Sequence, residues 1–164
     1  MLRLLLVPAL YGAIFLSAAQ AAPNGFFNHL SGNWAGAGHA YLPKVGEVTA
    51  DCRLRITGDD RQIAMTGSCG LLVFRQSLGF TIINSGENKY VGTYTGSRTG
   101  PAKLQGTLQG NRLVLTITWG GLVNGDRTAQ MVLQRIGPNA FAQTVNDIVA
   151  GKSRSTSSFT FKRG

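Results

Sequence analysis

Two cysteines, two histidines and seven acidic residues are all that this chain offers for metal ligation or for catalysis by a base or thiolate. His29 and His39 lie ten residues apart, with no second cysteine pair and no acidic cluster to complete a metal set. Asp59 and Asp60 are adjacent, as turn chemistry requires, and are read as a hairpin loop rather than as paired acid and base. Nucleophile elbows of the G-x-S-x-G type, glycine-rich phosphate loops and H-E-x-x-H helices do not occur. Catalysis needs a nucleophile, base or metal held in a definite constellation. The expectation is therefore a non-enzymatic protein with no metal and no cofactor. What remains is binding chemistry. Trp34, Trp119, Phe80 and Tyr94 are large apolar surfaces, three of them with a polar tip, suited to holding a small apolar or amphipathic ligand.

The cysteines also define the element around which the chain is organised. If Asp60 and Arg61 form a two-residue hairpin loop between strands running from Glu47 and to Val73, then Cys52 faces Cys69, Leu54 faces Gly67 and Ile56 faces Met65. One face reads Val48, Ala50, Cys52, Leu54, Ile56, Ile63, Met65 and Cys69. The other carries Glu47, Thr49, Asp51, Arg53, Arg55 and Thr57, then Ala64, Thr66 and Ser68. Alternation from the turn makes the cysteines a non-hydrogen-bonded pair, where side chains approach most closely. A Cys52–Cys69 bridge is predicted, with Cα atoms about 4.4 to 6.8 Å apart.

Further strands follow the same logic. A first strand runs from Ser31 to Leu42, with Trp34 inward beside Gly36, Gly38 and Ala40, small residues that leave space or admit close backbone approach. Before it, Pro23, Gly25 and Phe26-Phe27 mark a leading segment that plugs or covers an apolar opening. Ser77-Leu78-Gly79 is read as a turn, and Phe80–Ile83 pairs with Tyr90–Thr95 around a loop at residues 84–88. Gly110-Asn111 suits a type II′ turn, which puts Leu104, Gly106 and Leu108 on one face with Leu113, Leu115, Ile117 and Trp119. Past a strand over Arg127–Ile136, Gly137-Pro138-Asn139 opens a helical pattern. Phe141, Val145, Ile148 and Val149 fall at i, i+4, i+7 and i+8, with Gly151 beyond. Residues 152–158 read as a basic, serine-rich connector to a last strand carrying Phe159 and Phe161.

The N-terminus bounds the compartment. Arg3, an apolar run from Leu4 to Leu16 and the small-residue site Ala19-Gln20-Ala21 predict a signal peptide over residues 1–21. Residues 22–164 then form a single domain, exported to the periplasm or secreted, with its cysteines bridged. The formal charge of +9 falls to +8 without Arg3 and favours an anionic envelope component as partner. Export makes nucleic acid an unexpected one. After the leader, no stretch approaches the roughly 20 apolar residues of a transmembrane helix. Charged residues on the outward faces, Arg53, Arg55, Lys103 and Arg112, argue against a membrane-spanning barrel.

Short strands joined by tight turns specify an all-β, antiparallel up-and-down barrel of about 8 to 10 strands, with a flattened sandwich as the alternative and one short helix before the last strand. Gly32-Asn33-Trp34 at the opening of the first strand, followed by this order of elements, resembles the calycin superfamily of lipocalins and avidin-like proteins. In lipocalins a Gly-x-Trp signature closes the barrel base and an arginine from a late strand packs over the tryptophan. The resemblance implies that Arg135 could take that part and that Trp34 marks the closed end. Trp119, Phe80 and Tyr94 are then left for the open one. The lipocalin Thr-Asp-Tyr signature and avidin's biotin-lining tryptophans are absent. The signal peptide, early tryptophan and single disulfide also resemble small periplasmic barrel inhibitors of bacterial proteases. Two functions are expected on these grounds: a binding protein for a small apolar or amphipathic ligand, or a non-enzymatic envelope interaction module. A dry cavity of several hundred cubic ångströms supports the first, and a filled interior the second.

Overall fold

The computed structural model describes residues 25–71 and 73–164; the signal peptide expected over residues 1–21 lies outside them. A short helix α1 (Phe26–Leu30) leads into ten strands: β1 (Gly32–Leu42), β2 (Gly46–Gly58), β3 (Gln62–Leu71), β4 (Phe74–Asn84), β5 (Tyr90–Thr95), β6 (Ala102–Gln109), β7 (Arg112–Val123), β8 (Asp126–Gly137), β9 (Ala140–Val149) and β10 (Lys152–Arg163). Each strand pairs antiparallel with its sequence neighbours, and β10 returns to β1, so the meander closes into an up-and-down barrel. Closure leaves no edge strand to be shielded.

Local alternation and turn chemistry put the strands in register. Cys52 pairs with Cys69, Leu54 with Gly67 and Ile56 with Met65, as the hairpin reading required. The Asp59 amide donates to the Gln62 carbonyl at 2.9 Å, and the Asp59 carboxylate accepts from the Arg61 and Gln62 amides, so Asp59 caps the bend in which Asp60 lies. The cysteines are bridged with Cα atoms 4.0 Å apart. That is just below the expected range and close to the spacing of about 4.5 Å that a non-hydrogen-bonded pair adopts unaided. In the third clear hairpin Leu108 pairs with Leu113, and Gly110 takes the positive φ of 62° that a type II′ turn demands. Asn124 and Gly125 are both positive in φ, at 54° and 102°, the type I′ pattern.

Three local expectations are corrected. The helix expected after Pro138 is strand β9, and the short helix stands instead at the N-terminal end, Phe26–Leu30. Phe141 and Val145 face inward as both periods allow, but Ile148 is exposed and Asp147 is buried, so the period is two. Between two strands, a ten-residue segment meets hydrogen-bonding partners on both sides, and that outweighs a helical spacing of four apolar residues. Ser77-Leu78-Gly79 does not turn but runs within β4, the reversal falling between the end of β3 and the start of β4. Residues 152–158 extend β10 rather than connect to it, with a bulge between Ser155 and Ser157.

Inward small residues open no space here; they make room for rings. At the β1–β10 seam a Cβ on Gly36 would lie 2.6 Å from the Thr160 carbonyl oxygen and 2.8 Å from Phe161 Cε1. One on Gly38 would overlap the Ser158 carbonyl oxygen and reach Phe159 Cα at 2.7 Å. Gly38→Ala is therefore expected to lower unfolding free energy by about 1–3 kcal/mol through overpacking of the seam, read as a drop in urea midpoint. An unchanged midpoint would mean that the seam tolerates separation.

One cluster of buried residues runs along the barrel, from Leu30 and Trp34 through Met65, Leu104 and Leu115 to Ala102 and Trp119. Arg53, Arg55, Lys103 and Arg112 are exposed on the outer wall. An apolar interior and a charged exterior invert the pattern of a lipid-facing barrel. No helix among the described residues is long and apolar enough to cross a membrane.

Candidate functional site

Because the strands alternate in direction, the barrel has two distinct ends. At one, the start of β1 and the end of β10 meet the turns at residues 59–61, 85–89, 110–111 and 138–139. At the other lie the turns at residues 43–45, 96–101, 124–125 and 150–151 and the connection from β3 to β4.

The first end is closed by α1. Its five residues are too few to be helical by propensity, and no side chain caps its start; burial of Phe26, Phe27 and Leu30 holds it in place. Phe27 packs edge-on to Tyr90, with ring centroids 5.5 Å apart. Trp34 lies beneath, edge-on to Phe141 at 4.8 Å, and its indole N–H donates to the Leu30 carbonyl at 2.7 Å. The arginine over Trp34 is Arg163, not Arg135: its guanidinium sits 4.5 Å from the ring centre and donates to the Ser31 and His29 carbonyls at 2.6 and 2.9 Å. The reason is topological. Arg163 is the cross-strand partner of Trp34 on β10, the strand that closes against β1, whereas Arg135 lies opposite Phe141 on β8. His29 belongs to this end as well, where burial first and the Arg135 cation second hold its pKa below the ordinary imidazole value. Trp34 thus stands at the plugged base, apart from the other three aromatic candidates.

Those three come together. Tyr94 and Phe80 are cross-strand partners on β5 and β4, and Tyr94 meets Trp119 of β7 edge-on at 6.1 Å. Tyr94 and Trp119 stand towards the second end, with Phe80 one step deeper; Leu42, Leu78 and Val123 are partly buried and pack against the barrel core. Burial raises the Tyr94 phenol pKa, so it is a neutral donor at ordinary pH. Trp119 is only 8% exposed, and its Nε1 is buried without a hydrogen-bond partner in the protein. Arg127 grips the backbone beneath it, donating to the Trp119 and Gly120 carbonyls at 3.4 and 3.1 Å.

Sequence reasoning missed Asp147, a buried carboxylate at the same end. It accepts from Asn124 Nδ2 at 2.8 Å and from the Ile148 amide at 2.8 Å. Reading β9 as a helix hid it, since only a period of two places residue 147 on the inner face. His39 stands exposed on the wall, 3.8 Å from Glu47. Among the described residues, no three histidine, cysteine, aspartate or glutamate side chains converge as metal ligands.

Two hollows of about 600 Å³ each mark the outer wall, one lined by Glu47, Val48, Asp51, Phe74 and Arg75 and the other by Val91, Lys103, Gln105 and Thr116. Neither is the barrel interior.

No protein-family description matches this chain, and no curated protein matches it. Solved structures do. Rv2717c from M. tuberculosis is similar with a TM-score of 0.65 at 14% identity, over 87% of this chain and 98% of that one. An S-type phycobiliprotein lyase, CPES from Guillardia theta, is similar with a TM-score of 0.61 at 14% identity, over 88% and 94% of the two chains. At this identity the likeness is one of fold alone: the chain has the calycin-like barrel fold of these structures, here closed as ten antiparallel strands.

Proposed function

We propose that this protein is an exported, disulfide-stapled barrel that binds a small amphipathic molecule at its open end, without transforming it. The apolar part of the ligand seats against Trp119, Tyr94 and Leu78, and its polar part stays at the rim. The observation that carries this reading is the unpartnered indole N–H of Trp119. An unsatisfied buried donor costs about 1–3 kcal/mol, and a ligand oxygen at the mouth would remove that penalty. The residues named for the site lie towards the end opposite the plug, which is why the ligand is placed at that end. Export is supported by the leader-like residues 1–21 and by the bridged cysteines. Likeness to a phycobiliprotein lyase supports the handling of small molecules by barrels of this fold and does not identify the ligand.

Tryptophan fluorescence tests the reading. Titration with fatty acids, haem and hydrophobic dyes is expected to perturb the emission of the wild type and of Trp34→Phe, and not that of Trp119→Phe. If no compound perturbs Trp119 and native mass spectrometry finds no co-purifying molecule, the second reading replaces it. That reading is an envelope interaction module, a protease inhibitor for example, which works by its turns; the continuous cluster of buried residues along the barrel is the observation that favours it.

A further inference from the structure

The four most exposed large apolar side chains among the described residues are Val73, Leu122, Val45 and Phe74, at 99, 69, 61 and 51%. All four stand at or beside turns of the second end, opposite the plug, on three separate strand connections. Turn tips are normally polar, since water is their only neighbour. Scattered apolar residues need no account, but clustering of the four most exposed on one rim does. The same rim is cationic. Lys44 adjoins Val45; Arg98, Arg127, Lys152 and Arg154 are exposed beside the other connections, and Arg75 next to Phe74 is partnered by Asp51 at 3.6 Å. Glu47, Asp51, Asp126 and the buried Asp147 are the acidic residues nearby, four against the six cations named, so cations predominate on an already basic chain.

We propose that this rim docks on an anionic lipid surface, with Val45, Val73, Phe74 and Leu122 entering the headgroup layer and the lysines and arginines meeting its phosphates. Apolar tips projecting from a cationic ring are the combination that a peripheral protein needs, because insertion and headgroup attraction add. A protein partner would need a broad complementary face. Here the apolar tips stand on three separate connections of one barrel end, a geometry that a soft planar surface fits. The docked barrel would hold its mouth against the lipid and its plugged base away from it. The inference goes beyond ligand binding at the mouth and does not depend on it.

Co-sedimentation of the purified protein with vesicles tests it. Binding is expected to equimolar phosphatidylcholine and phosphatidylglycerol, and to be at least tenfold weaker to phosphatidylcholine alone. Each cation near such a surface is worth about fivefold, so Lys44→Glu should weaken binding by more than that. Val73→Asp/Leu122→Asp should weaken it at least tenfold, and Ile136→Asp, exposed at the closed end, should leave it unchanged. The residues replaced are exposed, so circular dichroism should show the fold intact. Trp119→Phe should bind vesicles as the wild type does, which separates this test from that of the ligand site. The proposal is overturned if the wild type ignores anionic vesicles, if neutral vesicles serve as well, or if the rim and closed-end variants behave alike. A concentration-dependent dimer abolished by Val73→Asp/Leu122→Asp, without vesicle binding, would make the rim a self-association face and overturn it too.

Discussion

Replacing Trp34 by alanine is expected to lower unfolding free energy by about 3–5 kcal/mol. The side chain is 2% exposed and joins three parts of the closed end: the plug through its bond to the Leu30 carbonyl, the β9 wall through Phe141, and the seam through Arg163. Truncation removes the ring, leaves the Leu30 carbonyl without that donor and opens a void beneath a helix held mainly by burial. Urea unfolding is the measurement, with a lower midpoint and an unchanged slope as the expected result. Trp34→Phe should retain most of the packing and lose only the hydrogen bond, about 1 kcal/mol. A Trp34→Ala protein that unfolds at the wild-type midpoint would show that the plug contributes nothing to stability.

The second large effect is expected from Cys52→Ala/Cys69→Ala. The bridge closes a loop with a sequence separation of 17, for which the chain-entropy account gives about 3 kcal/mol, within the range of about 2–5 kcal/mol seen for small secreted domains. Alanine suits the test because both cysteines are buried on the dry face, where serine would add an unpaired hydroxyl. Chemical denaturation of the variant and of the thiol-reduced wild type should give matching midpoints, both below that of the oxidised protein. If all three coincide, the hairpin register alone holds the two strands and the bridge adds nothing measurable.

Where the sequence could be read correctly, local signals agreed with one another. At the cysteine hairpin and at Gly110-Asn111, turn residues, side-chain alternation and charge placement all selected one register, and the pairing follows it. Strand β9 lacked that agreement. Asp147 and Gln143 interrupt its inward face, so Phe141, Val145, Ile148 and Val149 imitated a helix that two neighbouring strands do not permit. The short helix that does form has hardly any sequence signal, because burial stabilises it. The grouping of Tyr94, Phe80 and Trp119 follows from strands that are near neighbours in sequence. Arg163 was not legible, since its position over Trp34 depends on which late strand closes the barrel, a property of the whole ring and of no local stretch.

That closing seam also governs the order in which the barrel can form. Every other pairing joins neighbouring strands through a short connection, so those hairpins can assemble quickly and largely independently. Only β1 with β10 spans nearly the whole described chain, pairing Trp34 with Arg163. Its loop-closure entropy is the largest of any pairing and is offset only when Phe159 and Phe161 settle against Gly36 and Gly38. Until then the ribbon has two open edges and an uncovered apolar face. Folding speed and aggregation during folding should therefore depend on this one late junction far more than on any turn, making the first and last strands the kinetically sensitive part of the molecule.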